Sequence, residues 1–158
     1  MHVCTNGTRE KADAMTITVR EARPGDEPAI AELIHLLAAA PDEPSGVSAD
    51  YVPEYLGHDG AGALLAETGG KVVGLLTYKL SPDLYHGGPS GLLDDLVVRP
   101  EARRRGVADA LVGEVLRRFA AAGCKEASVS TEFDNEPAKA LYRKHGLCEE
   151  SLQLERHF

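Results

Sequence analysis

Leu92-Leu93-Asp94-Asp95-Leu96-Val97-Val98-Arg99-Pro100-Glu101-Ala102-Arg103-Arg104-Arg105-Gly106-Val107-Ala108 decides how this chain is read. Leu92–Val98 is apolar apart from two aspartates, the pattern of a central strand. Pro100 ends it, three arginines follow, and Gly106 opens a helix. A strand, a basic glycine-containing turn and a helix N-terminus, in that order, present backbone N–H groups and positive charge to an anion, typically a phosphate.

The elements on either side support that reading. Gly106–Ala122 places Ala108, Leu111, Val112, Val115, Leu116 and Phe119 on one helical stripe, with Asp109, Glu114, Arg117 and Arg118 opposite. Glu114 precedes Arg118 at the favourable i,i+4 spacing, and Gly123 suits the residue after the helix. Lys125–Thr131 reads as a strand. Asp134–His145 reads as a helix closed by Gly146, with Ala138, Leu141, Tyr142 and His145 on one side, and Leu147–Arg156 as a last strand. Upstream, Thr16–Arg20 is a β-branched first strand. Gly25-Asp26-Glu27-Pro28 starts a helix carrying Ile30, Leu33, Ile34 and Leu37. Ala38–Ala49 breaks that pattern, and Ser48–Leu56 forms a second short helix despite Pro53. Ala63–Glu67 and Lys71–Leu80 are strands joined by Thr68-Gly69-Gly70. Ser81–Gly91, with two prolines and three glycines, reads as a loop. There is no repeat and no internal linker. The expectation is a single α/β domain over residues 15–158, preceded by a polar, aperiodic and disordered extension at 1–14.

Bulk properties narrow the function. A chain of 158 residues can bury one core. A net charge of −8 disfavours nucleic acid and anionic membrane surfaces and favours a cationic partner. No apolar run approaches the roughly 20 residues that span a bilayer. The first residues lack the apolar region of a signal peptide, so the expected location is the cytoplasm. Cys4, Cys124 and Cys148 show no CxxC spacing and the six histidines are scattered, so neither a disulfide framework nor a metal site is expected. A dinucleotide fold requires GxGxxG after the first strand, and a P-loop requires GxxxxGK[ST]; neither pattern occurs.

Arg103-x-x-Gly106-x-Ala108, with Asn135-x-x-Ala138-x-x-Leu141-Tyr142 and the following Gly146-Leu147, resembles the signature of the GNAT family of N-acetyltransferases. The likeness covers about residues 16–158 and is most specific over 92–147; Leu147 stands where the family usually has Phe. The resemblance implies a mixed, mostly antiparallel sheet flanked by helices, with a V-shaped splay between its two central strands. It implies acetyl-CoA as cosubstrate. Leu96, Val97 and Val98 would pair with the pantetheine amides. Arg103, Arg104, Arg105, Gly106, Val107, Ala108 and Asp109 would hold the diphosphate. Asn135 and Ala138 would line the pantetheine arm, and Tyr142 would protonate the departing thiolate. Helix capping by Asn135 and core packing by Tyr142 are the plainer alternatives.

Asp94 and Asp95 are unusual inside a central strand. Adjacent residues there face opposite sides, and burying charge without a partner is costly. An acceptor ammonium must be bound and must lose a proton before its nitrogen attacks, which is work for a carboxylate. The Asp94–Glu101 series is similar to the corresponding strand of spermidine/spermine N-acetyltransferases, and aminoglycoside N-acetyltransferases carry an Asp at the Asp95 position. The resemblance thus implies a small cationic amine, with Asp94 handling the proton, Asp95 supporting it and Glu132 a lesser candidate. Partly solvated acids paired with arginines are the structural alternative. A protein N-terminus or lysine as acceptor, and a noncatalytic CoA-binding module, stay open. A homodimer is expected, paired through the final strand, because an apolar edge strand needs cover.

Overall fold

A computed structural model of the protein describes residues 16–38 and 44–158. The expected extension at 1–14 with Cys4, the domain start at Met15 and the break around Pro41 lie outside these residues. In chain order the elements are β1 (Thr18–Glu21), α1 (Glu27–Ala38), α2 (Val52–Gly57), β2 (Ala61–Thr68), β3 (Lys71–Asp83) and β4 (Gly88–Val98). A 3-10 turn (Pro100–Ala102), α3 (Val107–Ala121), β5 (Glu126–Val129) and α4 (Glu136–Lys144) follow. The strands form one sheet whose spatial order equals the chain order, antiparallel throughout except for the parallel β4–β5 pair. The expected fold class, a mixed and mostly antiparallel sheet flanked by helices, is the one observed.

Strand alternation divides the core in two. Ala63, Leu65, Leu75 and Val97 face Ile30 and Leu33 of α1 and Val52 of α2. Leu64, Ala66, Leu76 and Leu93 face Leu111, Val112, Val115 and Phe119 of α3, with Tyr142 of α4 beside them. Each fully buried leucine or phenylalanine in these layers contributes about 1.5–3 kcal/mol. Among the described residues no helix is long and apolar enough to cross a membrane.

Three expectations need correction. Ser81–Gly91 is not a loop: β3 and β4 stay paired out to Asp83↔Gly88. Pro82 and Pro89 face each other there, and such a pair survives at a position that exchanges no ladder hydrogen bonds. The Pro89 carbonyl accordingly points away from β3 and accepts from the Lys125 N–H at 2.8 Å. Gly91 serves packing, since a Cβ there would lie 2.3 Å from the Phe119 ring. Second, Leu147–Arg156 forms no strand. Leu147 still packs against the core, but every residue from Cys148 on is exposed, Leu152 and Leu154 each at 85%, so the segment has no buried face to hold a ladder in place. Third, α1 turns Leu36 toward the core and leaves Leu37 exposed, one position off the expected stripe. Pro53 proves compatible with α2 because it sits in the first turn, where its missing N–H is not needed.

Candidate active site

The sheet opens at Asp94. β5 pairs with β4 only from Ser90↔Glu126 to Leu93↔Val129. Beyond Leu93, β4 continues to Val98 bonded to β3 alone, so its other edge carries unladdered backbone groups. This is the splay expected between the central strands, with Leu96, Val97 and Val98 along it. Arg103 Nε reaches back to the Val98 carbonyl at 3.0 Å.

The same point carries a β-bulge. The β3–β4 register runs Tyr78↔Leu93 and then Leu76↔Leu96, so Asp94 and Asp95 together oppose Thr77. This overturns the expectation that the two carboxylates face opposite sides: the extra residue breaks the alternation. Asp94 meets Lys79 Nζ at 2.5 Å, and Lys79 Nζ lies 6.0 Å from the centroid of the Tyr55 ring. Asp95 accepts from Thr77 Oγ1 at 2.6 Å, and its own N–H donates to Thr77 Oγ1 at 2.9 Å. Both acids thus lie on the α2 side, and both act on Tyr55. Burial foremost, with the two carboxylate charges adding, pushes the Tyr55 phenol up to about 12. Burial also raises the Asp95 carboxyl above the usual range, with the Asp94 charge adding, while Thr77 and Lys79 pull it back.

Asp95 opens into a cavity of about 120 Å³ between α1, α2 and the sheet. Ile30, Ile34, Val52 and Leu56 form much of its wall, Tyr51, Tyr55 and Thr77 add hydroxyls, and Asp95 is the one carboxylate among the described lining residues. Thr77, Tyr55 and Lys79 were not singled out in the sequence. Only their placement opposite the bulge reveals them, and no spacing rule encodes that. Glu132 is exposed beyond β5, and no described ion pair or hydrogen bond joins its side chain to Asp94 or Asp95.

At the far end of the splay is the basic turn. Gly106 is the N-cap of α3 with φ +86°, and no side chain caps the helix. The first-turn N–H groups of α3, including those of Val107, Ala108 and Asp109, therefore have no intrahelical partner. A Cβ at Gly106 would meet nothing closer than Ile17 Cδ1 at 3.9 Å. The requirement for glycine there is the left-handed backbone, not space. Arg104 also has a positive φ, of 59°, a strained conformation of the kind found at ligand clamps. Val107 is buried in the core and anchors the turn. Asp109 is turned toward α4, where Lys144 Nζ at 2.7 Å and His145 Nε2 at 2.9 Å meet its Oδ1. Those contacts, Lys144 first, hold its carboxyl below the usual range. Its charge is thus answered beside an otherwise anion-attracting turn.

Asn135 caps α4, its side chain accepting from the Ala138 N–H at 3.2 Å. Tyr142 is 7% exposed. Burial pushes its phenol up, and among the described residues none hydrogen-bonds its hydroxyl. Away from the splay, Asp83, His86 and Glu126 bring potential ligand atoms within 4.8 Å of one another at the β3–β4 turn. His86 Nδ1 is 2.6 Å from Asp83 and 3.2 Å from Glu126, so the imidazole already bridges the two carboxylates. A larger hollow of about 620 Å³ lies at the same turn but holds none of the motif residues.

The protein is thus of the α/β class, its sheet opened along one strand edge, with a carboxylate-bearing cavity at one end of the opening and an uncapped helix start at the other. Residues 30–147 match the model of the acetyltransferase (GNAT) family, and the chain belongs to that family. An acetyltransferase of Sodalis glossinidius is 32% identical over 89 residues, 56% of this chain and 58% of that relative. The chain thus aligns with less than two thirds of that relative's length. The solved structure of an aminoglycoside acetyltransferase from an uncultured soil metagenomic sample is similar with a TM-score of 0.75 and 27% identity, over 91% of this chain and 99% of that one. A ribosomal-protein-alanine N-acetyltransferase from Brucella melitensis shares the fold with a TM-score of 0.74 and 20% identity, over 90% of this chain and 100% of that one.

Proposed function

We infer that the protein is an acetyl-CoA-dependent N-acetyltransferase acting on a small cationic primary amine. The carrying observation is the β4 edge from Asp94 to Val98, which has no strand partner on the β5 side and links the carboxylate cavity to the uncapped start of α3. The donor set fits the cosubstrate. Uncapped first-turn N–H groups and the arginines at 103–105 suit a diphosphate, and the open strand edge suits a chain of amides. Acetyl-CoA, when bound, supplies the acetyl thioester.

The chain's own groups do the rest. Asp95, fixed by Thr77, holds the acceptor ammonium, and its raised pKa makes it a better proton acceptor than an ordinary aspartate. This moves the leading role from Asp94, which is tied to Lys79, to its neighbour. The Asn135 cap uses the side-chain oxygen, leaving the amide N–H groups for the pantetheine arm. Tyr142, kept protonated by burial, donates to the departing sulfur, whose thiol pKa of about 8.5 makes a donor useful near neutral pH. A cytoplasmic location belongs to the same reading. A homodimer would cover Leu152 and Leu154, and light scattering at micromolar concentration reads that directly.

The test is thiol release from acetyl-CoA across a panel of alkylamines, polyamines, aminoglycosides and peptides, with calorimetry of CoA binding alongside. Binding together with amine-dependent release supports the reading. Binding without release on any amine favours a noncatalytic module, and absence of binding defeats the reading. Release with peptides alone moves the acceptor to a protein.

A further inference from the structure

We propose that Lys79 sets the charge of the acceptor, so that the site takes an amine with a single ammonium on an apolar body and disfavours diamines. The inference rests on the acetyl-transfer reading and narrows it.

Two carboxylates on one face would ordinarily invite a dication. Here the bulge that brings Asp94 and Asp95 together also sets Asp94 against Lys79, 2.5 Å away on the neighbouring strand. Lys79 is a resident ammonium. It lies beside the Tyr55 ring that forms part of the cavity wall, and it neutralises one of the two acids. One negative charge remains, on Asp95, which is the acid that opens into the cavity. Apart from the hydroxyls of Thr77 and the tyrosines, the wall is aliphatic side chains such as Ile30, Ile34, Val52 and Leu56, and aromatic rings, which reward a hydrocarbon and offer no second counter-ion.

A diamine held within the cavity through Asp95 therefore places its second ammonium against apolar side chains, displaces Lys79 from Asp94, or leaves it in solvent with no counter-ion from the site. Lys79 is tethered to the site and competes at high effective concentration. A monoamine meets none of these obstacles. Lys79 is a specificity-determining residue by this argument, and its side chain, 46% exposed, is replaceable without opening the core.

The experiment compares kcat/KM for butylamine and 1,4-diaminobutane in the wild type, Lys79→Met, Lys79→Gln and Lys79→Arg, with thermal melts to show that each is folded. Calorimetry of both amines binding to each protein gives the same ratio without turnover. The wild type should favour the monoamine. Lys79→Met and Lys79→Gln should shift the ratio toward the diamine by about tenfold or more, as expected for one freed charge-assisted hydrogen-bond site. Lys79→Arg should keep the wild-type preference. A wild type that prefers the diamine, or a ratio unmoved in both neutral variants, overturns the proposal while leaving acetyl transfer standing. Amine binding with the expected ratios but no turnover overturns acetyl transfer and leaves the charge selection intact.

Discussion

From Ser90 to Leu93, β4 is paired on both sides, with β3 and with β5; from Asp94 to Val98 it is paired with β3 alone. The first half holds Gly91 against Phe119 and Leu93 in the core. The second half holds the two acids and an open backbone edge. One extra residue separates them. The contrast shows how a strand can stabilise a sheet over one stretch and present chemistry over the next: the paired half fixes where the unpaired half points.

The largest effect should come from the open half. Asp95→Asn keeps the size of the side chain and an oxygen for Thr77 but removes the charge. It should lower kcat/KM for the amine by about 10²–10³. Its effect on stability should be slight and have the opposite sign. A carboxyl raised in the folded state favours folding most at low pH, and that advantage is lost as pH rises through the folded value. The variant should thus melt no lower than the wild type near neutral pH. A large fall in melting temperature would erase the division between the halves.

Gly91→Val probes the closed half. The added side chain collides with the Phe119 ring and should cost about 3 kcal/mol, read as a shifted denaturant midpoint. Turnover per folded molecule should stay near that of the wild type. Loss of turnover at full occupancy of the folded state would show that the closed half also tunes the site.

Tyr142→Phe sharpens the comparison from α4. Deleting the hydroxyl should lower kcat about tenfold with acetyl-CoA affinity nearly unchanged. Equal kcat, with chemistry shown to be rate-limiting, would reduce Tyr142 to a core side chain.

The smallest effect lies far from the break. Arg117 and then Arg118 hold the Glu114 carboxyl at about 2, well below its ordinary 4.5. The stability this contributes is present above pH 4.5 and is lost as pH falls toward 2. Because Arg117 is 66% exposed, solvent screening keeps the contribution near 1 kcal/mol or less. Glu114→Gln should therefore cost about that much at pH 7 and almost nothing at pH 2, with no change in kinetics. An equal cost at both pH values would remove the ion pairs as its origin.

These regions were not equally legible in the sequence. The α3 stripe, the Asn135 start of α4 and the Arg103–Ala108 turn could be read because helix periodicity, capping and glycine geometry are local properties. The break in β4 was not readable in the same way. A bulge belongs to the pairing of two strands, and nothing in Asp94-Asp95 alone says that Thr77 will face both. Strand alternation therefore assigns the acids to opposite faces, whereas the bulge sets both opposite Thr77. The glycines and prolines of 81–91 suggested a loop because their local preference is for turns; the pairing of Pro82 with Pro89 and the closeness of Phe119 make them strand residues. Leu147–Arg156 shows the converse, since alternating leucines make a strand only where a partner and a buried face receive them.

The agreement between spatial and chain order in the sheet bears on how the protein folds. β2, β3 and β4 form a meander closed by the contacts Thr68↔Lys71 and Asp83↔Gly88, only a few residues apart in sequence. β1 and β5 join it through much longer closures, such as Thr18↔Glu67 and Ser90↔Glu126. Short closures are entropically cheap and form early, while long ones wait. The splay therefore lies on the seam between an early-forming meander and a late-docking strand. Amides of β5 should exchange with deuterium sooner than those of β3, through partial openings that leave the meander intact. The splay would then be the part of the sheet that is assembled last and released first.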